Sequence, residues 1–258
     1  MLLSLGGMKS KYNFFKAATM AVALTMATVN PFNKAEALDM GSVNYSLTAG
    51  YDSRSIGDNG VLATDDPVHI AMLGADVPGV GFFDVYVSNY TGLDNLLEVD
   101  LEGSFPFDIP KTPIKGEVYL GWYTFPQEST PDDLGQVAVT LKTDAFGVTP
   151  FVKARQYLGE SAEDGKLYEI GFSKRLENVL HKLNATFGGK VVFDDCYTKD
   201  DVSETSFWEA SAGVDTELTD IMSVSGNMSY QEPFSGDSEC VDSGITVEGR
   251  LTYSWDNE

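Results

Sequence analysis

Val43-Asn44-Tyr45-Ser46-Leu47-Thr48-Ala49-Gly50-Tyr51-Asp52 carries an apolar or aromatic side chain at every odd position and a small or polar residue at every even one. A period of two sends the first set to one face of a β-strand and the second set to the other. The alternation returns near the end of the chain, where Ile245, Val247, Leu251, Tyr253 and Trp255 alternate with Thr246, Glu248, Arg250, Thr252 and Ser254. Between them, Leu97, Val99 and Leu101 alternate with Glu98, Asp100 and Glu102, and Trp208, Ala210, Ala212 and Val214 with Glu209, Ser211, Gly213 and Asp215. No segment offers a convincing helical stripe; residues 175–183 come nearest and are short.

Working outward in this way gives twelve strands, at 42–54, 66–76, 81–91, 95–105, 115–126, 135–143, 147–158, 165–175, 181–194, 205–217, 221–231 and 244–255. Most exceed the ~5–6 residues of an ordinary strand and suit a tilted strand of ~9–11 residues that crosses a bilayer. The count is even, as in bacterial single-chain barrels. The connections fall into two classes. Short ones follow the second, sixth, eighth and tenth strands, such as Val77-Pro78-Gly79-Val80, Asp144-Ala145-Phe146, a turn near 176–180 and Leu218-Thr219-Asp220. The one after the fourth is longer and holds Pro106, Pro110 and Pro113. Long acidic ones follow the first, fifth, seventh, ninth and eleventh. Tyr51, Tyr90, Trp122, Phe125, Tyr157, Phe193, Trp208, Tyr230 and Trp255 lie toward strand ends, where the aromatic girdles of a barrel sit. The fold expected is all-β: an antiparallel up-and-down transmembrane β-barrel of about twelve strands, with short turns at the periplasmic end and long loops outside. A soluble exported β-sandwich binding module is the alternative.

Charge narrows the function. The chain has 258 residues, with 17 Lys and Arg against 39 Asp and Glu, a net charge of -22. Such a field repels nucleic acid and anionic lipid headgroups. No run of 18 apolar residues exists, so no transmembrane helix is expected. Residues 1–37 read as a cleaved secretory signal. Met8 is the better start, Lys9, Lys11 and Lys16 form the basic region, Ala17 to Val29 the apolar one, and Ala35-Glu36-Ala37 the cleavage pattern. Residues 38–258 are then the exported barrel, in the bacterial outer membrane.

Two cysteines, Cys196 and Cys240, fall in consecutive long acidic loops, neither near a metal-ligand partner. One disulfide in an oxidising compartment is expected. It would close a loop of about 45 residues, worth ~4 kcal/mol in the chain-entropy model. Two free thiols are the alternative.

The segment Tyr45-Ser-Leu-Thr-Ala-Gly-Tyr51-Asp-Ser-Arg54-Ser-Ile-Gly57 resembles the first strand of the TorF family of porins, in which a strand, a Tyr and an Arg-containing turn lead into a long first loop. Ser55 stands where the family has Gly. Phe83-Asp84-Val85-Tyr86-Val87-Ser88-Asn89 is similar to that family's next hairpin. The resemblance covers about the first third of the chain and implies an exported, porin-like barrel of similar length. Gly249–Trp255 resembles the closing strand read by the barrel-assembly machinery, with Asp256-Asn257-Glu258 after the aromatic.

If the apolar faces meet lipid, the opposite faces line the lumen. Asp84, Glu98, Asp100, Glu102 and Glu117 would make an acidic wall, and Lys142, Lys153 and Arg155 a basic patch. Glu169, Lys190, Glu209, Glu248 and Arg250 add mixed charges. This pattern predicts a polar pore for small ions or polar solutes. The acidic mouth loops, which would concentrate cations and repel anions, make it cation-preferring. The small size of the barrel points to a monomer. A closed barrel whose acidic loops bind a partner or an ion is the alternative. No enzyme, cofactor or metal site is expected. His69, read as pointing inward, and His181, beside a turn, are the only histidines and do not make a triad. Asp194-Asp195 and Asp200-Asp201 read as solvated acidic loop rather than as a cation site.

Overall fold

The computed structural model describes residues 43–56, 62–93, 96–125, 134–158, 165–195, 206–234 and 243–256. The signal segment, both cysteines, Asp200-Asp201 and most of the long acidic loops lie outside the described residues.

Every regular element among the described residues is a strand. Twelve of them form the barrel: β1 (Asn44–Asp52), β4 (Val68–Val77), β5 (Gly81–Tyr90), β6 (Leu96–Asp108), β7 (Lys115–Thr124), β8 (Leu134–Lys142), β9 (Thr149–Leu158), β10 (Lys166–Leu180), β11 (Leu183–Asp195), β12 (Ser206–Thr219), β13 (Met222–Pro233) and β14 (Gly244–Asp256). Each pairs antiparallel with its neighbours in the chain, and β1 pairs with both β4 and β14, which closes the sheet. Closure leaves no unpaired edge, so the backbone can sit in hydrocarbon with its polar groups satisfied. The two most clearly alternating segments of the sequence, at opposite ends of the chain, form this seam: Tyr45 faces Trp255 and Tyr51 faces Gly249.

Alternation sorts the side chains as the period of two requires. Leu47, Leu73, Ile170, Phe172, Met228 and Leu251 are exposed on the outside. In a bilayer this surface meets lipid, not water. Outer aromatics pack in pairs at its margins. Tyr45 stacks on Trp255 at 5.8 Å between centroids, and Trp208 lies 5.4 Å from Tyr230.

The short turns are shaped by left-handed backbone. Gly79 (φ 73°) and Gly81 (φ 149°) turn β4 into β5, and a Cβ on Gly81 would strike the Ser104 carbonyl. A side chain there would meet both the strained φ and the neighbouring strand.

Three sequence expectations need correction. The turn expected near 176–180 lies at His181 and Lys182, both at positive φ. β10 continues to Leu180, through a register shift between Leu176 and Leu180 that breaks the alternation and hides the strand. β6 runs on to Asp108, with Pro106 opposite Glu117 in the ladder. The first long loop holds a small two-stranded sheet of its own, β2 (Ser55–Ile56) and β3 (Leu62–Thr64).

Candidate functional site

The inner face of the barrel is the candidate site. Register places all thirteen charged residues singled out above on it: Asp84 on β5, Glu98, Asp100 and Glu102 on β6, Glu117 on β7, Lys142 on β8, Lys153 and Arg155 on β9, Glu169 on β10, Lys190 on β11, Glu209 on β12, and Glu248 and Arg250 on β14. They do not form one constellation. They separate into groups with different chemistry.

The first group centres on Glu169, whose side chain is 5% exposed. Arg155, equally buried, donates from Nη2 to Glu169 Oε1 at 2.9 Å. Lys153 Nζ lies 3.8 Å from the same oxygen, and Lys190 Nζ lies 3.7 Å from Oε2. Lys190 also reaches Glu209 at 3.4 Å. Adjacent strands make this possible, because Lys153 and Lys190 stand at or diagonal to the register position of Glu169. On the loop side of the cluster, Tyr157, Leu167, Val192 and Phe207 pack together as an apolar group inside the barrel. Low dielectric strengthens the ion pairs and makes an unpaired member costly.

The second group is the acidic wall. Asp84 faces Glu102, Tyr86 faces Asp100 and Ser88 faces Glu98 across β5 and β6. Glu98 is satisfied by Ser88 Oγ at 3.2 Å and by the Tyr90 hydroxyl. One oxygen each of Asp84 and Asp100 is buried with no hydrogen-bond partner. No ion pair joins Asp84, Glu98, Asp100 or Glu102 to a basic side chain among the described residues. Among the described residues, Glu117 is the one member of the acidic wall in an ion pair, 3.8 Å from Lys142 near the short-turn end.

The third group lies at the seam. Arg250 Nη1 bonds Asp52 and the Tyr51 carbonyl, the latter at 3.1 Å, with Glu248 at 3.9 Å from Nη2. Gly50 opposite leaves the space the guanidinium crosses. Beside it, a cavity of about 210 Å³ is lined by Thr186, Gly213, Asp215, Ser225, Asn227, Glu248 and Arg250 among others. Small inner-face residues beside it leave the room: Gly213 faces Asn227, and Asp215 faces Ser225. A polar cavity of this size holds several waters.

Sequence reasoning missed the tyrosines of the acidic wall. Tyr86, Tyr90, Tyr119 and Tyr123 share the inner face with the carboxylates. Tyr119 and Tyr123 are joined at 2.8 Å between hydroxyls, and Tyr123 donates to Gln136 Oε1 at 2.5 Å. Their position could have been read by counting in twos from Glu98, Asp100 and Asp84. The same count corrects the girdle. Tyr90 and Tyr157, expected at the lipid interface, point inward, and Tyr157 is buried. His69, expected inward, lies on the outer face beside Tyr51, at 6.0 Å between rings, because Val68 and Ile70 take the buried inner positions. His181 sits in the β10–β11 turn. Among the described residues, no three acidic, histidine or cysteine side chains converge to hold a metal ion.

No protein-family model matches the chain, and no curated protein matches it by sequence. Solved structures match its fold. The NanC porin is similar at 7% identity over 81% of this chain and 98% of its own, with a TM-score of 0.51. The COG4313 outer membrane channel from Pseudomonas putida F1 is similar at 8% identity over 87% of this chain and 100% of its own, with a TM-score of 0.50. The match to Acinetobacter baumannii OccAB4 has a TM-score of 0.40 and 12% identity, covers 79% of this chain, and spans only 57% of OccAB4. At these identities the likeness is one of fold. The fold is the closed antiparallel barrel that these outer-membrane proteins share, and its apolar exterior suits a lipid bilayer.

Proposed function

We propose that this chain is a porin-like outer-membrane channel through which small hydrophilic solutes pass passively, with a preference for cations. The observation that carries the reading is the polar cavity along β11 to β14, inside a closed barrel and walled by glycine, serine and charged side chains. Small side chains leave room for water, and fixed charges decide which ions share it. The carboxylates of β5 and β6, in no ion pair among the described residues, supply the cation preference.

Kinship with the TorF porins rests on the Tyr45–Gly57 and Phe83–Asn89 segments alone. Export through residues 1–37, insertion by the barrel-assembly machinery, a Cys196–Cys240 disulfide and a monomeric state complete the proposal. No enzymatic step belongs to it.

A second reading has an observation of its own. Tyr157, Leu167, Val192 and Phe207 fill part of the barrel near the loop end, as a closed barrel with a binding role at its loops would require. Conductance of the detergent-purified protein in a planar bilayer under a KCl gradient decides between them. Discrete steps with a cation-selective reversal potential are expected, and Ser225→Trp, in the cavity wall, should lower the step size severalfold. Silence from a folded, inserted barrel sinks the channel reading. An anion-selective reversal potential sinks the selectivity alone.

A further inference from the structure

The acidic wall lacks something that the rest of the lumen supplies. Asp100 is 4% exposed, and one of its oxygens is buried without a partner. Its register neighbours on the inner face are Tyr86 on β5 and Tyr123 on β7. Tyr123 has given its single hydroxyl proton to Gln136, and the proton of Tyr90 goes to Glu98. Neither is left for Asp100. Asp84, diagonal to it across β5 and β6, also has a buried oxygen without a partner. A buried carboxylate oxygen without a donor is costly, and here two of them stand on the inner face of adjacent strands.

From this geometry we infer that Asp84 and Asp100, with the ring faces of Tyr86 and Tyr123, form a binding site for a small organic dication, two ammonium groups joined by a short alkyl chain. A ligand that carries its own donors would satisfy both oxygens. No three acidic, histidine or cysteine side chains among the described residues converge to hold a metal ion. Diagonal positions of adjacent strands stand ~7–8 Å apart, so a ligand that serves both carboxylates has to reach across the two strands. Two ammonium groups on a short linker can, each making charge-assisted hydrogen bonds. The alkyl stem and the positive charges are both compatible with tyrosine faces. Glu98 and Glu102 on either side of Asp100 add to the negative field without taking the same role, since Glu98 is already bonded.

The inference deepens the channel reading but rests on it only for how the ligand arrives. The folded, detergent-solubilised barrel is titrated by calorimetry with 1,4-diaminobutane, butylamine and 1,4-butanediol, and with magnesium chloride. Saturable diamine binding is expected, with butylamine about tenfold weaker or worse, a loss of ~1.4 kcal/mol, and no binding of the diol. Asp100→Asn and Asp84→Asn, both shown folded by heat-modifiable gel migration, should each weaken the diamine by a similar factor. No diamine binding, equal binding of diol and diamine, unchanged affinity in both variants, or magnesium taking the site in place of the diamine overturns the inference. Should a variant not fold, the ligand series on the unaltered barrel decides. Conductance without diamine binding removes the site and leaves the channel; binding without conductance removes the channel and leaves the site.

Discussion

On β9 to β11 the carboxylate of Glu169 meets Arg155, Lys153 and Lys190, whereas on β5 and β6 four carboxylates meet no cation among the described residues. From β6 to β10 is four steps in a ring of twelve strands, a third of the way round. The two walls bury comparable charge in one lumen and treat it in opposite ways. The Glu169 wall sets three cations against Glu169 and Glu209 and is covered by an apolar group, so its charges hold strands together. The acidic wall is left without such pairing, so its carboxylates weaken the barrel locally.

That contrast can be broken most sharply at Glu169. Glu169→Gln removes the one anion shared by three cations, and loss of one partner from a buried ionic group costs ~3–5 kcal/mol. Urea unfolding of the barrel in lipid vesicles should show it; a change under about 1 kcal/mol would mean the cluster is solvated and does no structural work. Asp100→Asn should move stability the other way. Supplying amide donors where a buried oxygen has none should raise stability by ~1–2 kcal/mol in the same assay. A loss there would show that Asp100 is satisfied in the folded barrel, and the two walls would then not differ in kind. The smallest effect is expected where the Glu169 cluster becomes more open. Lys190 and Glu209 are each about a quarter exposed at 3.4 Å, so a double-mutant cycle with Lys190→Met and Glu209→Gln should give a coupling of only ~0.5–1 kcal/mol. A larger value would extend the buried network to β12.

The strands were legible because a period of two survives in sequence wherever one face must be apolar. All twelve barrel strands appear within a few residues of their expected limits. The failures have local causes. The end of β10 was lost because the register shift after Leu176 interrupts the alternation, and β2 and β3 are too short to show a period. The inner-facing charges were legible for the same reason as the strands. What they touch was not. Nothing in the order Lys153, Arg155, Glu169, Lys190 says that four residues on three strands meet, because their contacts depend on register between strands. Tyr90 and Tyr157 were misplaced because aromatic residues near strand ends suit either face, and only the parity of each strand decides.

By itself, the sequence determined that the chain is a set of alternating strands with one apolar and one polar face, because hydrocarbon outside and polar space inside impose that pattern on every strand separately. Only the tertiary structure decided how the polar face divides into a paired wall, an unpaired wall and an open cavity. Each depends on the stagger of one strand against the next, which brings Arg155 onto Glu169, sets Asp100 between Tyr86 and Tyr123, and puts Gly213 against Asn227 beside the cavity.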